Sequence, residues 1–165
     1  MRIKLFMLLL VLMCLSSREV WAGAVTTLQS TTLDTWYTGG ATLASNVAVV
    51  SGTVTLTNPG YREAWCTFAF TGTTGTPVAG TAVTVWLRVS TDGTTFPDGD
   101  ATIVPADAPS MTFPLRAVTS AQSISAFVPR MPTGVFRVRI LNDGTGATIA
   151  TAYTLKCKTQ TPQVP

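Results

Sequence analysis

Short runs that alternate apolar and polar residues, separated by glycine and proline turns, most constrain the fold of this chain. In the run 63–71, alanine, cysteine and two phenylalanines share one face, while tryptophan, threonine and alanine share the other. This period of two is typical of a half-buried strand. Comparable runs cover residues 46–57, 82–90, 123–128, 135–141 and 148–158. Seven or eight such strands, with no helical period after the first 22 residues, predict an all-β antiparallel sandwich or jelly-roll-like single domain.

The first 22 residues have the layout of a secretory signal peptide. Arg2 and Lys4 precede an apolar run from Leu5 to Leu15, and small residues follow at Ala22 and Ala24. The run is too short to cross a hydrocarbon core of about 30 Å as a helix. The order of basic, apolar and small residues predicts cleavage after residue 22 or 24. A short membrane anchor or a buried hydrophobic arm is the alternative.

Signal removal would lower the chain's basic charge. Without Arg2, Lys4, Arg18 and Glu19, the 11 basic and 8 acidic residues fall to 8 and 7. A net charge of about +1 gives no long-range steering toward nucleic acid, so we expect no nucleic-acid partner. We also expect no stable membrane span in the exported chain.

Three segments follow the signal. Residues 23–40 are rich in threonine and predict an arm or an edge strand, residues 41–160 predict the sandwich, and residues 161–165 predict a tail. Thirty of the 165 residues are threonine. This β-branched residue suits exposed strand and turn surface.

Catalysis is not expected from this composition. The sequence contains no histidine, which excludes histidine-ligated zinc and histidine general bases. A nucleophilic serine or cysteine would need another base, and the only lysines after the signal are Lys156 and Lys158. We therefore expect no enzyme activity, no cofactor and no metal.

The long loop between residues 91 and 111 carries four aspartates: Asp92, Asp98, Asp100 and Asp107. Carboxylates and loop carbonyls can hold calcium, which makes these four the candidate ligands. Their spacing does not match an EF-hand loop, and Asp-Gly pairs commonly form turns. The turn interpretation is favoured.

Cys66 and Cys157 both fall on the apolar faces of their strands. Export would place them in an oxidising compartment, where a pair of cysteines tends to form a disulfide. Two buried free thiols are the alternative.

Two large aromatic residues, Trp65 and Trp86, fall on otherwise polar strand faces. Exposed large aromatics indicate a binding surface or a subunit interface. With Trp36, Tyr37 and Tyr61 they would form a platform on which sugars stack. A second layer covering these faces is the alternative.

Basic side chains lie on the polar faces of two late strands: Arg137, Arg139, Lys156 and Lys158. If the two strands were neighbours, these residues would form a basic stripe for an anionic partner. Like charges directly opposite one another would repel, so the register must offset them or the strands must lie in different sheets. A solvated face is the favoured alternative.

Short motifs follow one another through the second half of the chain. They run S-T-D-G-T-T-F-P-D-G-D from Ser90, F-P-L-R-A from Phe113, P-T-G-V-F from Pro132, N-D-G-T-G from Asn142 and T-L-K from Thr154. In this order they resemble small structural proteins of tailed bacteriophages and prophages, over roughly residues 42–159. The resemblance implies a decoration or tail-associated virion component that works through oligomeric contacts.

These observations predict a non-catalytic structural protein, a phage-like virion or surface component that forms homo-oligomers or binds other structural subunits. A secreted module that binds carbohydrate or a cell surface is one alternative, and a pilus or surface-layer subunit is another. The protein is expected to be exported to the periplasm or the exterior, or to be virion-associated.

Overall fold

A computed structural model describes residues 28–29, 33–56, 60, 63–97 and 100–161. The predicted signal peptide lies outside these residues. The described chain contains ten strands and no helix, and so no helix there is long and apolar enough to cross a membrane. The strands are β1 (Leu28–Gln29), β2 (Asp34–Thr38), β3 (Ala48–Thr55), β4 (Glu63–Thr74), β5 (Ala82–Val89), β6 (Met111–Pro114), β7 (Ser120–Val128), β8 (Val135–Asp143), β9 (Thr148–Ile149) and β10 (Thr154–Thr161).

The strands form two antiparallel sheets that pack face to face. In sheet 1 the order is β1-β10-β4-β7, with β2 also beside β10 and β9 beside the end of β4. In sheet 2 the order is β3-β8-β5-β6. The predicted all-β sandwich is confirmed.

Alternation along β4 shows how the sequence sets the inner and outer faces. Ala64, Cys66, Phe68 and Phe70 are buried, whereas Trp65 points outward. The Phe68 ring lies between the sheets, 5.7 Å from Phe113 of sheet 2 measured between ring centroids. Burial of such aromatic and aliphatic side chains contributes roughly 1.5–3 kcal/mol each and drives the two sheets together.

The threonine-rich stretch before residue 40 contributes edge strands to sheet 1. Both β1 and β2 pair with β10, and the register with β2 shifts between Leu155 and Lys156. Gly39 follows β2, and a Cβ atom there would overlap the ring of buried Tyr153. Only glycine permits this close approach between backbone and ring.

A disulfide joins Cys66 to Cys157 inside the sandwich, so the disulfide interpretation is confirmed. The two residues are directly opposite each other in the register of β4 and β10. Both cysteines are fully buried. The bond therefore fixes two neighbouring strands of sheet 1 to each other.

Candidate assembly surface

An exposed pair of aromatic side chains lies on the outer face of sheet 1. Trp65 on β4 is directly opposite Phe127 on β7, with ring centroids 5.1 Å apart. Trp65 is 53% exposed and Phe127 is 38% exposed. Trp65 therefore lies at the surface, as its alternation predicts. Phe127 was missed at sequence level, although the period of two along 123–128 places it opposite buried Val128.

Polar side chains surround this aromatic pair. Lys158 on β10 is opposite Trp65, and exposed Lys156 is opposite Thr67. The Thr67 and Ser125 hydroxyls hydrogen-bond at 2.9 Å, which links β4 to β7 beside the rings. An apolar centre within a polar rim is the usual anatomy of a protein interface. We call this outer surface the aromatic face. It is formed by Trp65, Thr67, Ser125, Phe127, Lys156 and Lys158.

The aromatic face rests on the most constrained part of sheet 1. Trp65 and Lys158 directly adjoin the disulfide-bonded cysteines, which are buried on the opposite side of the same strands. At the end of the face, Gln160 Nε2 donates to Glu63 Oε2 at 3.0 Å. A surface held this way loses little conformational freedom when a partner binds.

Trp86 does not belong to an exposed surface, so that expectation is wrong. It is only 5% exposed, and its Nε1 donates to the carbonyl of Asp107 at 3.0 Å. The loop between β5 and β6 folds back over the outer face of sheet 2 and covers the ring. Leu87 N also donates to Ser110 Oγ at 3.1 Å, which fixes the end of the loop to β5.

The four basic residues do not form one stripe. Arg137 and Arg139 are on β8 in sheet 2, while Lys156 and Lys158 are on β10 in sheet 1. The separation follows from topology, because β8 and β10 are close in sequence but belong to opposite layers.

The two arginines are also covered by the loop. The Arg137 guanidinium lies 4.3 Å from the centre of the Phe96 ring. Arg139 is 1% exposed, lies 5.1 Å from the Trp86 ring centre, and donates from Nε to the carbonyl of Asp100 at 3.1 Å. Burial lowers the pKa of Arg139 from its ordinary value. This side chain therefore packs the loop onto sheet 2.

Each described loop aspartate is engaged in local structure. Asp92 accepts hydrogen bonds from Thr95, Thr94 and Ser90, which hold the pKa of its carboxyl well below the usual range. Asp100 accepts from Ile103 and Thr102, which also lowers its pKa.

Asp107 completes this set by forming an ion pair with Arg88 at 2.6 Å. Asp98 lies outside the described residues. Among the residues that are described, no three His, Cys, Asp or Glu side chains are grouped closely enough to hold a metal ion. The described aspartates thus act as turn formers and as an ion-pair partner.

The other described aromatic residues of the expected sugar platform are not on the aromatic face. Trp36 is buried against Phe136, with ring centroids 5.2 Å apart. Tyr37 stacks on buried Tyr153 at 5.6 Å, and burial is the main cause that raises the pKa of Tyr153. Tyr61 lies outside the described residues. Among the described members of the expected platform, Trp65 is therefore the one whose side chain is mostly exposed.

An open cleft separates the edge strands β2 and β3. Its volume is about 320 Å³, and Asp34 is the one ionisable side chain among its lining residues. The other lining residues are Thr35, Trp36, Gly52, Thr53, Val54 and Thr55.

No protein-family model matches this chain, and no curated protein matches it. The geometry of the two outer faces is therefore the basis for a functional argument.

Proposed function

We propose that this chain is a non-catalytic structural protein, a phage-like virion or surface component that acts by self-association. The observation that carries the proposal is the Trp65–Phe127 pair exposed on the aromatic face. Burying the part of each ring that is still exposed would contribute about half of the roughly 1.5–3 kcal/mol that full burial of such a side chain gives. Tryptophan and other aromatics commonly dominate the binding energy of protein interfaces.

Charge also supports self-association. After the predicted signal, the chain carries 8 basic and 7 acidic residues. Identical copies with a net charge near zero repel one another only weakly, which favours their association. On the aromatic face itself, lysines border the rings and Glu63 lies at the end, so both signs are present.

The order of short motifs that resembles phage structural proteins supports the virion-type proposal. In the motif that begins at Ser90, Asp92 accepts hydrogen bonds from the backbone N–H groups of Thr94 and Thr95. In the motif that begins at Asn142, this residue and Thr145 are fully buried and hydrogen-bonded. In both motifs these residues stabilise turns.

The test compares the mass of the mature wild-type protein with that of Trp65→Ser by light scattering over a dilution series. The matched control is Ile103→Ser, which removes a similarly exposed apolar side chain from the loop over sheet 2. We expect a wild-type oligomer whose dissociation constant rises at least about tenfold, or about 1.4 kcal/mol, in Trp65→Ser only. A wild-type protein that is monomeric at its highest soluble concentration contradicts the proposal.

Negative-stain imaging of the wild-type assembly separates the structural alternatives. Closed rings or small closed oligomers support the virion-type component. Open filaments or extended two-dimensional arrays would instead support a pilus or surface-layer subunit, because contacts that do not close on themselves propagate without limit.

Carbohydrate binding is a second candidate, favoured by the exposed indole of Trp65 beside Lys158. Aromatic rings supply flat apolar surface, and the ammonium group supplies hydrogen-bond donors. A glycan array probed with the wild-type protein and with Trp65→Ala tests this function. Specific signals that disappear in Trp65→Ala support it, while an array without signal for the wild-type protein rejects it.

A further inference from the structure

The edge of sheet 1 at β7 is open. β7 pairs with β4 along one side, and no described strand pairs with its other side. At the start of β7 the preceding turn is held by Gln122, which accepts from Arg116 N at 2.9 Å and donates to Val118 O at 3.2 Å. After this turn, residues 123–128 form the rest of β7 along the open edge. An unpaired strand edge offers N–H and C=O groups that can pair with another strand.

The other sheet edges carry features that oppose strand addition. β3 has a register shift between Val50 and Thr53, where Ser51 Oγ accepts from Val138 N at 2.9 Å. β6 has four residues and ends in Pro114. The edge formed by β1 and β2 consists of strands of two and five residues. Bulges, prolines and short lengths are the usual protections of a sheet edge.

β7 lacks these protections. It has nine residues, SAQSISAFV, with no charged residue and no proline. Its register with β4 runs without a shift from Ala64↔Val128 to Gly72↔Ser120. A regular, uncharged strand of this length is well suited to pair with another strand.

The side chains of β7 are compatible with a second copy of the same strand. Ser123, Ser125 and Phe127 are exposed on the outer face, while Ile124 and Ala126 are half-buried against the core. In an antiparallel pair about a twofold axis, outer residues meet outer residues and inner residues meet inner residues. Because β7 is uncharged, no like charges face each other across the pair.

We propose that β7 pairs antiparallel with β7 of a second copy, so that two copies of sheet 1 become one continuous sheet. The inference identifies the contact used in the self-association proposed above and rests on that function. Pairing centred on Ser125 satisfies the open-edge backbone groups of residues 123–127 and covers Ile124 and Ala126 further. It also brings the two Phe127 rings onto one shared outer face, which extends the aromatic face across the seam.

The first test uses lysine substitutions on two edge strands. Ser125→Lys places a charge at the centre of exposed β7, and Thr55→Lys places the same charge at an exposed position of β3, the far edge of sheet 2, as the control. Two lysines directly opposite each other across the seam repel, so we expect the dissociation constant of Ser125→Lys to rise at least about tenfold while that of Thr55→Lys stays unchanged. Circular dichroism and thermal unfolding of both variants verify that each is folded.

Hydrogen exchange of the wild-type protein supplies the second test. In the assembled protein, the amides of residues 123–127 that face the open edge should exchange at least about tenfold more slowly than in the diluted monomer. If the wild type assembles but Ser125→Lys does not weaken assembly and the exchange of residues 123–127 is not slowed, β7 pairing is overturned and self-association stands. If the wild type never assembles, both proposals are overturned.

Discussion

Asn142 and Thr145 are both fully buried, and Thr145 Oγ1 donates to Asn142 Oδ1 at 2.6 Å. Asn142 Nδ2 donates in turn to the carbonyls of Leu43 at 3.0 Å and Ala147 at 2.8 Å. One amide side chain therefore connects the end of β8, the turn after it and the segment before β3. Such a network stabilises the fold only while each buried polar group has a partner.

Replacement of Asn142 by alanine is expected to lower the free energy of unfolding by about 3 kcal/mol. The change removes the hydrogen bond from Asn142 to the Leu43 carbonyl, which keeps its bond from Ile149 N, and a lost hydrogen bond costs roughly 0.5–1.5 kcal/mol. Loss of the bonds to Thr145 and Ala147 adds to that cost. Urea unfolding measures the change, with exposed Thr112→Ser as a control expected within about 0.5 kcal/mol of wild type. If Asn142→Ala lowers the free energy of unfolding by no more than the control does, the stabilising role of Asn142 is contradicted.

Reduction or removal of the Cys66–Cys157 disulfide is expected to destabilise the protein by about 4 kcal/mol. The two cysteines are 91 residues apart in sequence, and the bond restricts a loop of that length in the unfolded chain. Urea unfolding with and without reductant measures the effect in wild type. The double variant Cys66→Ala/Cys157→Ala should be insensitive to reductant. Equal unfolding curves for wild type in both buffers would refute the expectation.

Acid is expected to loosen the turn at Asp92. Hydrogen bonds from Thr95, Thr94 and Ser90 favour the charged carboxylate and lower its folded-state pKa. The stabilising contribution is therefore full above the ordinary aspartate pKa of about 3.9 and declines as the pH falls below it. Hydrogen exchange of residues 91–97 between pH 6 and pH 2 measures the change. Asp92→Asn should remove the acid dependence at this turn, and an unchanged dependence would assign it to another group.

Arg139→Met is expected to lie within about 1 kcal/mol of wild type, whereas Arg139→Ala should cost about 2–4 kcal/mol. Arg139 is nearly fully buried, and its Nη1 has no hydrogen-bond partner among the described residues. Methionine keeps most of the packing against Trp86 and removes the desolvated charge, but alanine leaves a cavity. Thermal unfolding and proteolysis of residues 100–110 compare the two. If both variants lose the same stability, the expectation is contradicted, and the hydrogen bond from Arg139 to the Asp100 carbonyl contributes more than the packing of the side chain.

Alternation predicted the inner face of β4 and placed both cysteines in the core, because each strand's two faces can be identified from its own sequence. The same pattern correctly placed Trp86 on the other face of β5 from Val83 and Val85. It could not show that the loop ending at Ser110 would return over that face, since this depends on contacts between distant residues.

The basic residues illustrate the same limit. Sequence alone placed Arg137 and Lys156 on polar strand faces, but strand neighbours follow from topology. Arg137 is on β8 in sheet 2 and Lys156 is on β10 in sheet 1, so the two residues lie in different layers. Phe127 could be assigned to the outer face from its strand, but its partner Trp65 depends on the pairing of β4 with β7.

The position of β10 also bears on the order in which the chain folds. β10 is the last strand of the described chain, and it lies between β2, one of the earliest, and β4. During synthesis, every strand of sheet 2 is available once Asp143 has emerged, whereas β2 and β4 must await residues 154–161 before they gain their shared neighbour. Such long-range closure slows folding. A ribosome or translocation channel that still holds the final strand therefore keeps sheet 1 incomplete and its two cysteines apart.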